Sequence, residues 1–179
     1  MDITEILTSL FVAFWIMIPA YVPNSAAAVF GGGTPMDFGK NFGDGRRIFG
    51  SGKTWRGFFG GVLSGIIFGI LLIFIGDYFG FAIHTYLSVV LLAFGALLGD
   101  LVKSFFKRRL NKESGEEWLI ADQYDLVVGS LLLVLIFDYE WTITNITWLV
   151  FIWILIITPL LHRGANIIGY IIGVKKVPW

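Results

Sequence analysis

The chain has 179 residues, of which 56% are hydrophobic, and its 13 basic residues balance 13 acidic ones. A mean hydropathy of +0.79 excludes the water-soluble globular class and indicates a membrane protein. The lack of cysteine excludes disulfides, thiolate nucleophiles and cysteine-ligated metals. The zero net charge gives no sign of a nucleic-acid partner.

Five apolar segments approach the roughly 20 residues that a membrane-spanning helix needs. The first lacks a basic leader and a small-residue cleavage site, so we expect it to be a retained helix. The fourth is short, and it spans only if its acidic start lies at membrane depth, facing protein or water. The predicted spans are about 6–22, 58–76, 85–102, 124–137 and 146–161, with a further apolar stretch at 165–174.

The basic residues indicate the topology, because Lys and Arg accumulate in cytoplasmic loops. With five spans, their positions predict an all-α integral membrane protein with its N-terminus outside and its C-terminus in the cytoplasm. The prediction is a single transmembrane domain over residues 1–179, with large cytoplasmic loops at about 24–56 and 103–123. The basic groups are Lys40, Arg46, Arg47, Lys53 and Arg56; Lys103, Lys107, Arg108, Arg109 and Lys112; and Arg163, Lys175 and Lys176.

Small residues recur every four positions on the second and third predicted helices. This spacing lets helix backbones approach closely inside a membrane. We therefore expect these two helices to pack against each other. The residues are Gly57, Gly61, Gly65 and Gly69 in the second helix, and Gly95 and Gly99 in the third.

The first loop is unusually rich in glycine between residues 24 and 57. Glycine-rich backbone can turn its N–H groups toward phosphate, which predicts a phosphate-binding loop. The string GSGKT at 50–54 is not a P-loop, because Arg47 stands where that motif needs its first glycine and no strand precedes it. A connector made only of turns is the structural alternative.

The second polar segment starts inside the third helix, with GDLVKSFFKRR from Gly99 to Arg109. One face of this helix carries a carboxylate at membrane depth and cations at the headgroup level. An acidic side chain at that depth is costly and suggests a functional site, although pairing with a Lys or Arg is the structural alternative. The residues on this face are Asp100, Ser104, Lys107 and Arg108.

Two more carboxylates, Asp122 and Asp125, lie at i and i+3 where the fourth helix begins. Together with Asp100 they provide three acids close to two basic loops. Such oxygen ligands suit Mg²⁺, which prefers carboxylates, waters and substrate phosphates. A capping role for Asp122 is the alternative. The isolated His84 and His162 are expected to be structural.

The motifs GGGTPMDFGKNFGDGRRIFGSGKTWRG, then GD, KS, KRR and DQYD, closely resemble the CDP-archaeol synthase family of CTP-dependent membrane cytidylyltransferases. The resemblance spans nearly the whole chain. The positions from Ser104 to Asp125 also resemble a shorter signature of the wider CDP-diacylglycerol synthase family. Those enzymes have a glycine pair and an Arg before the last Asp, whereas Gln123 and Tyr124 stand here, which favours the archaeal branch.

The resemblance implies transfer of CMP from CTP to 2,3-di-O-geranylgeranylglycerol phosphate, an isoprenoid ether lipid phosphate, with release of pyrophosphate. It implies Mg²⁺ as cofactor, an active site on the cytoplasmic face of the cell membrane, and no obligatory protein partner. The predicted catalytic residues are Asp100, Asp122, Asp125, Lys107 and Arg108, with the three aspartates holding one or two Mg²⁺ ions. The predicted substrate-binding residues are Asn24, Asp37, Asp44, Arg46, Arg47, Lys53, Thr54, Arg56, Ser104 and Gln123.

Two other function classes are alternatives to this interpretation. A CDP-alcohol phosphotransferase also combines DGRR with paired aspartates, but it carries its acids on adjoining helices, whereas two spans separate Asp44 from Asp122. A small transporter or channel would have ionisable residues near mid-membrane and repeated halves, and neither is clear in this sequence.

Overall fold

The computed structural model describes residues 2–113 and 116–174 of the chain, and these residues form helices joined by loops, with no β-strand. All helices except the seven-residue α5 are long and apolar enough to cross a membrane, which confirms the predicted five-span, all-α fold. Lys175 and Lys176 lie outside the described residues. The helices are α1 (Ile3–Val29), α2 (Trp55–Phe79), α3 (Tyr86–Arg109), α4 (Leu119–Phe137), α5 (Tyr139–Asn145) and α6 (Trp148–Ile171).

Several helices extend further than hydropathy alone predicts. The alanine-rich end of α1 continues to Val29, and α3 continues through its basic run to Arg109, where cations favour a helix C-terminus. The helix bounds therefore leave 30–54 in the first loop and, among the described residues, 110–113 and 116–118 in the other, rather than 24–56 and 103–123. Asn24, Ser104 and the lysines of α3 are consequently helical residues.

The middle of α1 contains two prolines, Pro19 and Pro23. Pro19 has no N–H, so the carbonyl of Trp15 loses its helical donor, which is costly inside a membrane. His84, just before α3, supplies the replacement, since its Nε2 lies 3.1 Å from that carbonyl oxygen. This contact agrees with the structural role expected of His84.

The glycines of α2 bring that helix into contact with both α1 and α3. A Cβ added at Gly61 would lie 2.7 Å from the carbonyl oxygen of Pro23, and one added at Gly69 would lie 2.3 Å from Val89. The first contact is with α1 and the second with α3. The expected packing of the second helix against the third is therefore found, and α1 shares the same glycine face.

The glycines of α3 face a different neighbour from the one we expected. A Cβ at Gly95 would lie 2.6 Å from the carbonyl oxygen of Gly129, and one at Gly99 would lie 2.1 Å from that of Asp125, so both glycines face α4 rather than α2. The two backbones are in contact because Gly129 is small as well. This seam between α3 and α4 carries Asp100 and Asp125 side by side.

Candidate active site

A cavity of about 290 Å³ opens at the end of the bundle where α1 and α3 finish and α2 and α4 begin. Its lining combines apolar residues, such as Leu97 and Phe58, with charged residues. Of the residues predicted to bind or react with substrate, the cavity is lined by Asn24, Lys53, Thr54, Asp100, Lys107, Asp122 and Asp125.

Three carboxylates from two helices converge on one lysine in the cavity wall. The ammonium of Lys103 lies 3.1 Å from Asp100, 3.0 Å from Asp122 and 2.6 Å from Asp125. The predicted grouping of the three aspartates is therefore present. Lys103 is not among the predicted site residues, although its i+3 spacing from Asp100 was a usable signal.

Two further lysines flank this cluster, and each pairs with one of its carboxylates. Lys53, from the end of the first loop, donates to Asp100. Lys107 donates to both oxygens of Asp122, at 3.0 and 2.9 Å, and to the carbonyl of Glu116 at 2.5 Å. The cavity thus combines three carboxylates with three ammonium groups.

Asp37 holds the first loop together and does not line the cavity. Its carboxylate accepts hydrogen bonds from the Arg47 guanidinium at 2.5 and 3.1 Å and from the amides of Gly39, Phe49 and Gly50. Burial alone would raise the pKa of Asp37, but these donors hold the pKa below its ordinary value. Asp37 is therefore a loop-organising residue in the structure.

The base of the same loop is closed by backbone pairing next to α2. The amide of Met36 donates to the carbonyl of Lys53 at 2.8 Å, and the amide of Trp55 donates to that of Thr34 at 3.1 Å. Thr54 then caps α2 by accepting from the amide of Gly57 at 3.2 Å. These bonds fix the position from which Lys53 enters the cavity.

The tip of the loop is attached to the end of α3 through Arg109. Its guanidinium lies 4.9 Å from the ring centre of Phe42 and donates to the carbonyl of Arg47 at 2.6 Å. It also lies 2.9 Å from Asp44, while Arg46 donates to the Arg109 carbonyl at 2.5 Å. Asp44, Arg46 and Arg47 are therefore engaged in loop contacts, away from the cavity wall.

The remaining predicted residues lie near the cavity without lining it. Ser104 donates to the carbonyl of Asp100 at 2.8 Å, and Arg56 donates to that of Phe30 at 2.8 Å. Arg108 packs against Gly50, and Gln123 is half-buried at the start of α4. The cavity instead includes His162 and Asn166, a polar pair at i and i+4 in α6.

The cluster suits a hard divalent cation such as Mg²⁺, because the metal ligands that it offers are carboxylate oxygens. In the described part of the chain, no group of three acidic or histidine side chains surrounds a ready-made metal position. Asp125 Oδ2 is nevertheless buried, and the Lys103 ammonium lies 2.6 Å from it. One or two carboxylates suffice for Mg²⁺ when substrate phosphates complete the shell, so the residues fit this ion.

A family model described as CarS-like CDP-archaeol synthase matches residues 5–179. The chain belongs to the CDP-archaeol synthase family. The CDP-archaeol synthase of Methanoculleus marisnigri is 64% identical over 166 residues, covering 91% of this chain and 100% of that relative. The CDP-archaeol synthase of Pyrococcus horikoshii is 47% identical over 168 residues, covering 93% of this chain and 95% of that relative.

A solved structure also resembles this chain, and it is described as an intramembrane enzyme for archaeal membrane lipids biosynthesis. The TM-score is 0.71 at 34% identity, with 87% of this chain and 92% of the other covered. The resemblance to the CDP-archaeol synthase family is thus confirmed, and the protein is a multi-pass membrane enzyme of lipid biosynthesis. The whole cavity wall lies within the matched residues.

Proposed function

We propose that the protein transfers CMP from CTP to the phosphate of 2,3-di-O-geranylgeranylglycerol phosphate, forming the CDP-activated lipid and pyrophosphate. The observation that carries the proposal is the convergence of three lysines and three aspartates on one cavity at the end of a transmembrane bundle. Membership of the CDP-archaeol synthase family supports the same conclusion.

The reaction needs charge neutralisation more than it needs a protein base. A lipid phosphate monoester is mostly dianionic at neutral pH, because its second pKa is about 6. One of its oxygens attacks the α-phosphorus of CTP, and the bond from that phosphorus to the bridging oxygen of the β-phosphate breaks. Pyrophosphate leaves with the electron pair of that bond, so no covalent enzyme intermediate is required.

Lys53 and Lys107 are the residues proposed to receive the phosphates. Each contacts a single carboxylate of the cluster and lies at the wall of the cavity. Each can therefore exchange that contact for a phosphate oxygen without leaving a buried charge unpaired. Positioning two anionic substrates against fixed ammonium groups supplies both orientation and stabilisation of the transferring phosphoryl group.

Asp100, Asp122 and Asp125 are the residues proposed to hold Mg²⁺. A bound Mg²⁺ would polarise phosphoryl oxygens and neutralise the charge that develops on the pyrophosphate. Asp125 is the strongest candidate, since its side chain is the most buried of the three and lies on the cavity wall. The Ser104 hydroxyl, bonded to the Asp100 carbonyl, supports the helical turn that carries Asp100.

The proposed location is the cytoplasmic face of the cell membrane, with the N-terminus outside. The contacts of Arg109 with the first loop join two basic segments at one end of the bundle, as the accumulation of Lys and Arg in cytoplasmic loops requires. CTP would then arrive from the cytoplasm. The lipid phosphate would approach from the bilayer, past the apolar side of the cavity lined by Phe58 and Leu97.

The test follows the transfer of label from [α-³²P]CTP into the organic phase, using purified protein, Mg²⁺ and 2,3-di-O-geranylgeranylglycerol phosphate. We expect lipid labelling that EDTA abolishes, together with stoichiometric pyrophosphate. Diacyl phosphatidic acid and UTP serve as alternative acceptor and donor. Absence of transfer to either lipid would reject the proposal, and labelling of diacyl phosphatidic acid alone would reject the proposed acceptor.

A further inference from the structure

Lys103 differs from the other two lysines of the cavity because it contacts all three carboxylates. Its Nζ lies 2.6–3.1 Å from one oxygen of each aspartate, and its side chain is only 13% exposed. An ammonium group has three N–H donors, so their number equals the number of carboxylates that it contacts. All three N–H groups of Lys103 can thus be directed at carboxylates, whereas Lys53 and Lys107 each pair with a single carboxylate of the cluster.

The second oxygen of each carboxylate is also engaged. Each of these oxygens accepts from an amide or a lysine. The donors are Lys53 for Asp100, the Trp118 amide at 2.7 Å and Lys107 at 2.9 Å for Asp122, and the Leu126 amide at 2.6 Å for Asp125. The three aspartates are thus fully surrounded by positive charge and donors.

This arrangement works against a divalent cation that arrives alone. Three carboxylates and three ammonium groups have no net charge to attract it. Mg²⁺ also needs oxygens at about 2.0–2.1 Å, and Lys103 stands at the point that the carboxylates share. An ion can gain ligands only when other lysines release them, and a polyphosphate is an anion that would draw Lys53 and Lys107 away.

We propose that Lys103 is a permanent counter-ion of the carboxylate cluster, which makes the cluster bind a divalent cation together with the nucleotide and not before it. Lys103 is in this sense a positioning residue, since it holds Asp100, Asp122 and Asp125 at a common point. The inference rests on the proposed function only for the identity of the nucleotide.

The test measures binding of Mn²⁺ alone to the full-length protein in detergent, using the electron paramagnetic resonance signal of free Mn²⁺. We expect Lys103→Met to bind Mn²⁺ at least about tenfold more tightly than the wild type, because three carboxylates lose their shared counter-ion. Lys112→Met is the matched control. It removes the same charge from an exposed pair with Glu116 at 2.9 Å and should bind like the wild type.

A double variant, Lys103→Met with Asp125→Asn, should return Mn²⁺ binding toward the wild-type value if the new site is this cluster. Lys103→Gln replaces Lys103→Met if the latter does not elute as a monodisperse species. Wild-type protein passed through a desalting column should retain Mn²⁺ when CTP is present and lose it when CTP is absent. Equal Mn²⁺ affinity in the wild type and the Lys103 variant, or retention without CTP, overturns the proposal.

These outcomes are separable from the fate of the proposed reaction. The Mn²⁺ titration contains neither nucleotide nor lipid, so it gives the same answer whether or not the wild type transfers CMP. Conversely, efficient CMP transfer with equal Mn²⁺ affinities would support the reaction and reject the role of Lys103.

Discussion

The protein buries carboxylates in two places, and their surroundings differ. Asp37 accepts hydrogen bonds only from residues of its own loop and is closed off from the cavity. Asp125 lies on the cavity wall, where its Oδ2 pairs with the ammonium of Lys103 at 2.6 Å. Asp125, predicted to be catalytic, thus lies at the cavity, whereas Asp37, predicted to bind substrate, shapes a loop.

The largest expected effect is that of Asp125→Asn on turnover. The amide keeps the shape of the side chain but loses the charge, so we expect kcat to fall by about 10²–10³. Transfer of label from CTP to lipid measures the loss, and monodisperse elution tests the fold. Asp77→Asn, at the exposed C-terminal end of α2, is the matched control and should retain activity. Similar activity in Asp125→Asn and wild type would place Asp125 with the structural carboxylates.

The second prediction concerns the seam that carries the cluster. In Gly99→Ala the new methyl group would meet the Asp125 carbonyl oxygen at 2.1 Å, so α3 and α4 must separate. We expect a destabilisation of about 1–3 kcal/mol and a parallel loss of activity. Gly164→Ala is the control, because nothing lies within 4 Å of its added Cβ. Equal melting temperatures of the two variants in detergent would contradict the close contact.

The third prediction is that Asp37→Asn opens the first loop without damaging the cavity wall. Loss of a charged acceptor costs about 1.5–3 kcal/mol, so tryptic cleavage within the loop should accelerate about tenfold or more. The KM for CTP should rise more than kcat falls, because Lys53 is positioned by this loop. A fall in kcat as large as that of Asp125→Asn, with the loop still resistant to trypsin, would instead place Asp37 at the chemistry.

The pH dependence of the same loop follows from the lowered pKa of Asp37. A carboxyl group whose pKa is lower in the folded state contributes its full stabilisation of the fold at pH values above its unfolded-state pKa, about 3.9. That contribution is lost as the pH falls through the lower folded-state pKa. The wild-type loop should therefore resist protease equally from about pH 8 to about pH 5. Loosening in that range would contradict the bonding of Asp37.

The smallest effect is expected for Asp44→Asn. Asp44 also contacts an arginine, Arg109 at 2.9 Å, but its side chain is 35% exposed. An ion pair this exposed to water contributes at most about 1 kcal/mol to stability, so the rate of tryptic cleavage in the loop should change less than in Asp37→Asn. High salt should remove most of the difference in cleavage rate between Asp44→Asn and the wild type. An increase in cleavage rate as large as that of Asp37→Asn would contradict the smaller contribution expected of the more exposed ion pair.

The sequence was sufficient to predict the five spans, because length and apolar content decide which helices cross a bilayer. It also predicted the grouping of Asp100, Asp122 and Asp125, since acids at membrane depth must face protein or water. The central position of Lys103 could not be predicted in the same way. That position depends on how closely α3 and α4 approach, which Gly99 and Gly129 decide in three dimensions.

The roles within the first loop were harder to predict for a different reason. Glycine allows many backbone conformations, so the sequence does not say which side chains turn inward. Arg46 and Arg47 were predicted to bind phosphate, but the attachment through Arg109 engages both of them in loop contacts. Lys53 differs because the first turn of α2 follows it directly and limits where it can point.

The glycine contact between α3 and α4 also bears on how this enzyme can change over evolutionary time. Where two backbones touch, the distance between the helices does not depend on side chains facing the lipid. The outer surfaces of α2 and α4 can therefore exchange one apolar residue for another, as membranes of different thickness or temperature demand, while the spacing of the aspartates stays constant. Different residues therefore determine how the protein adapts to a new bilayer and how it preserves its chemistry.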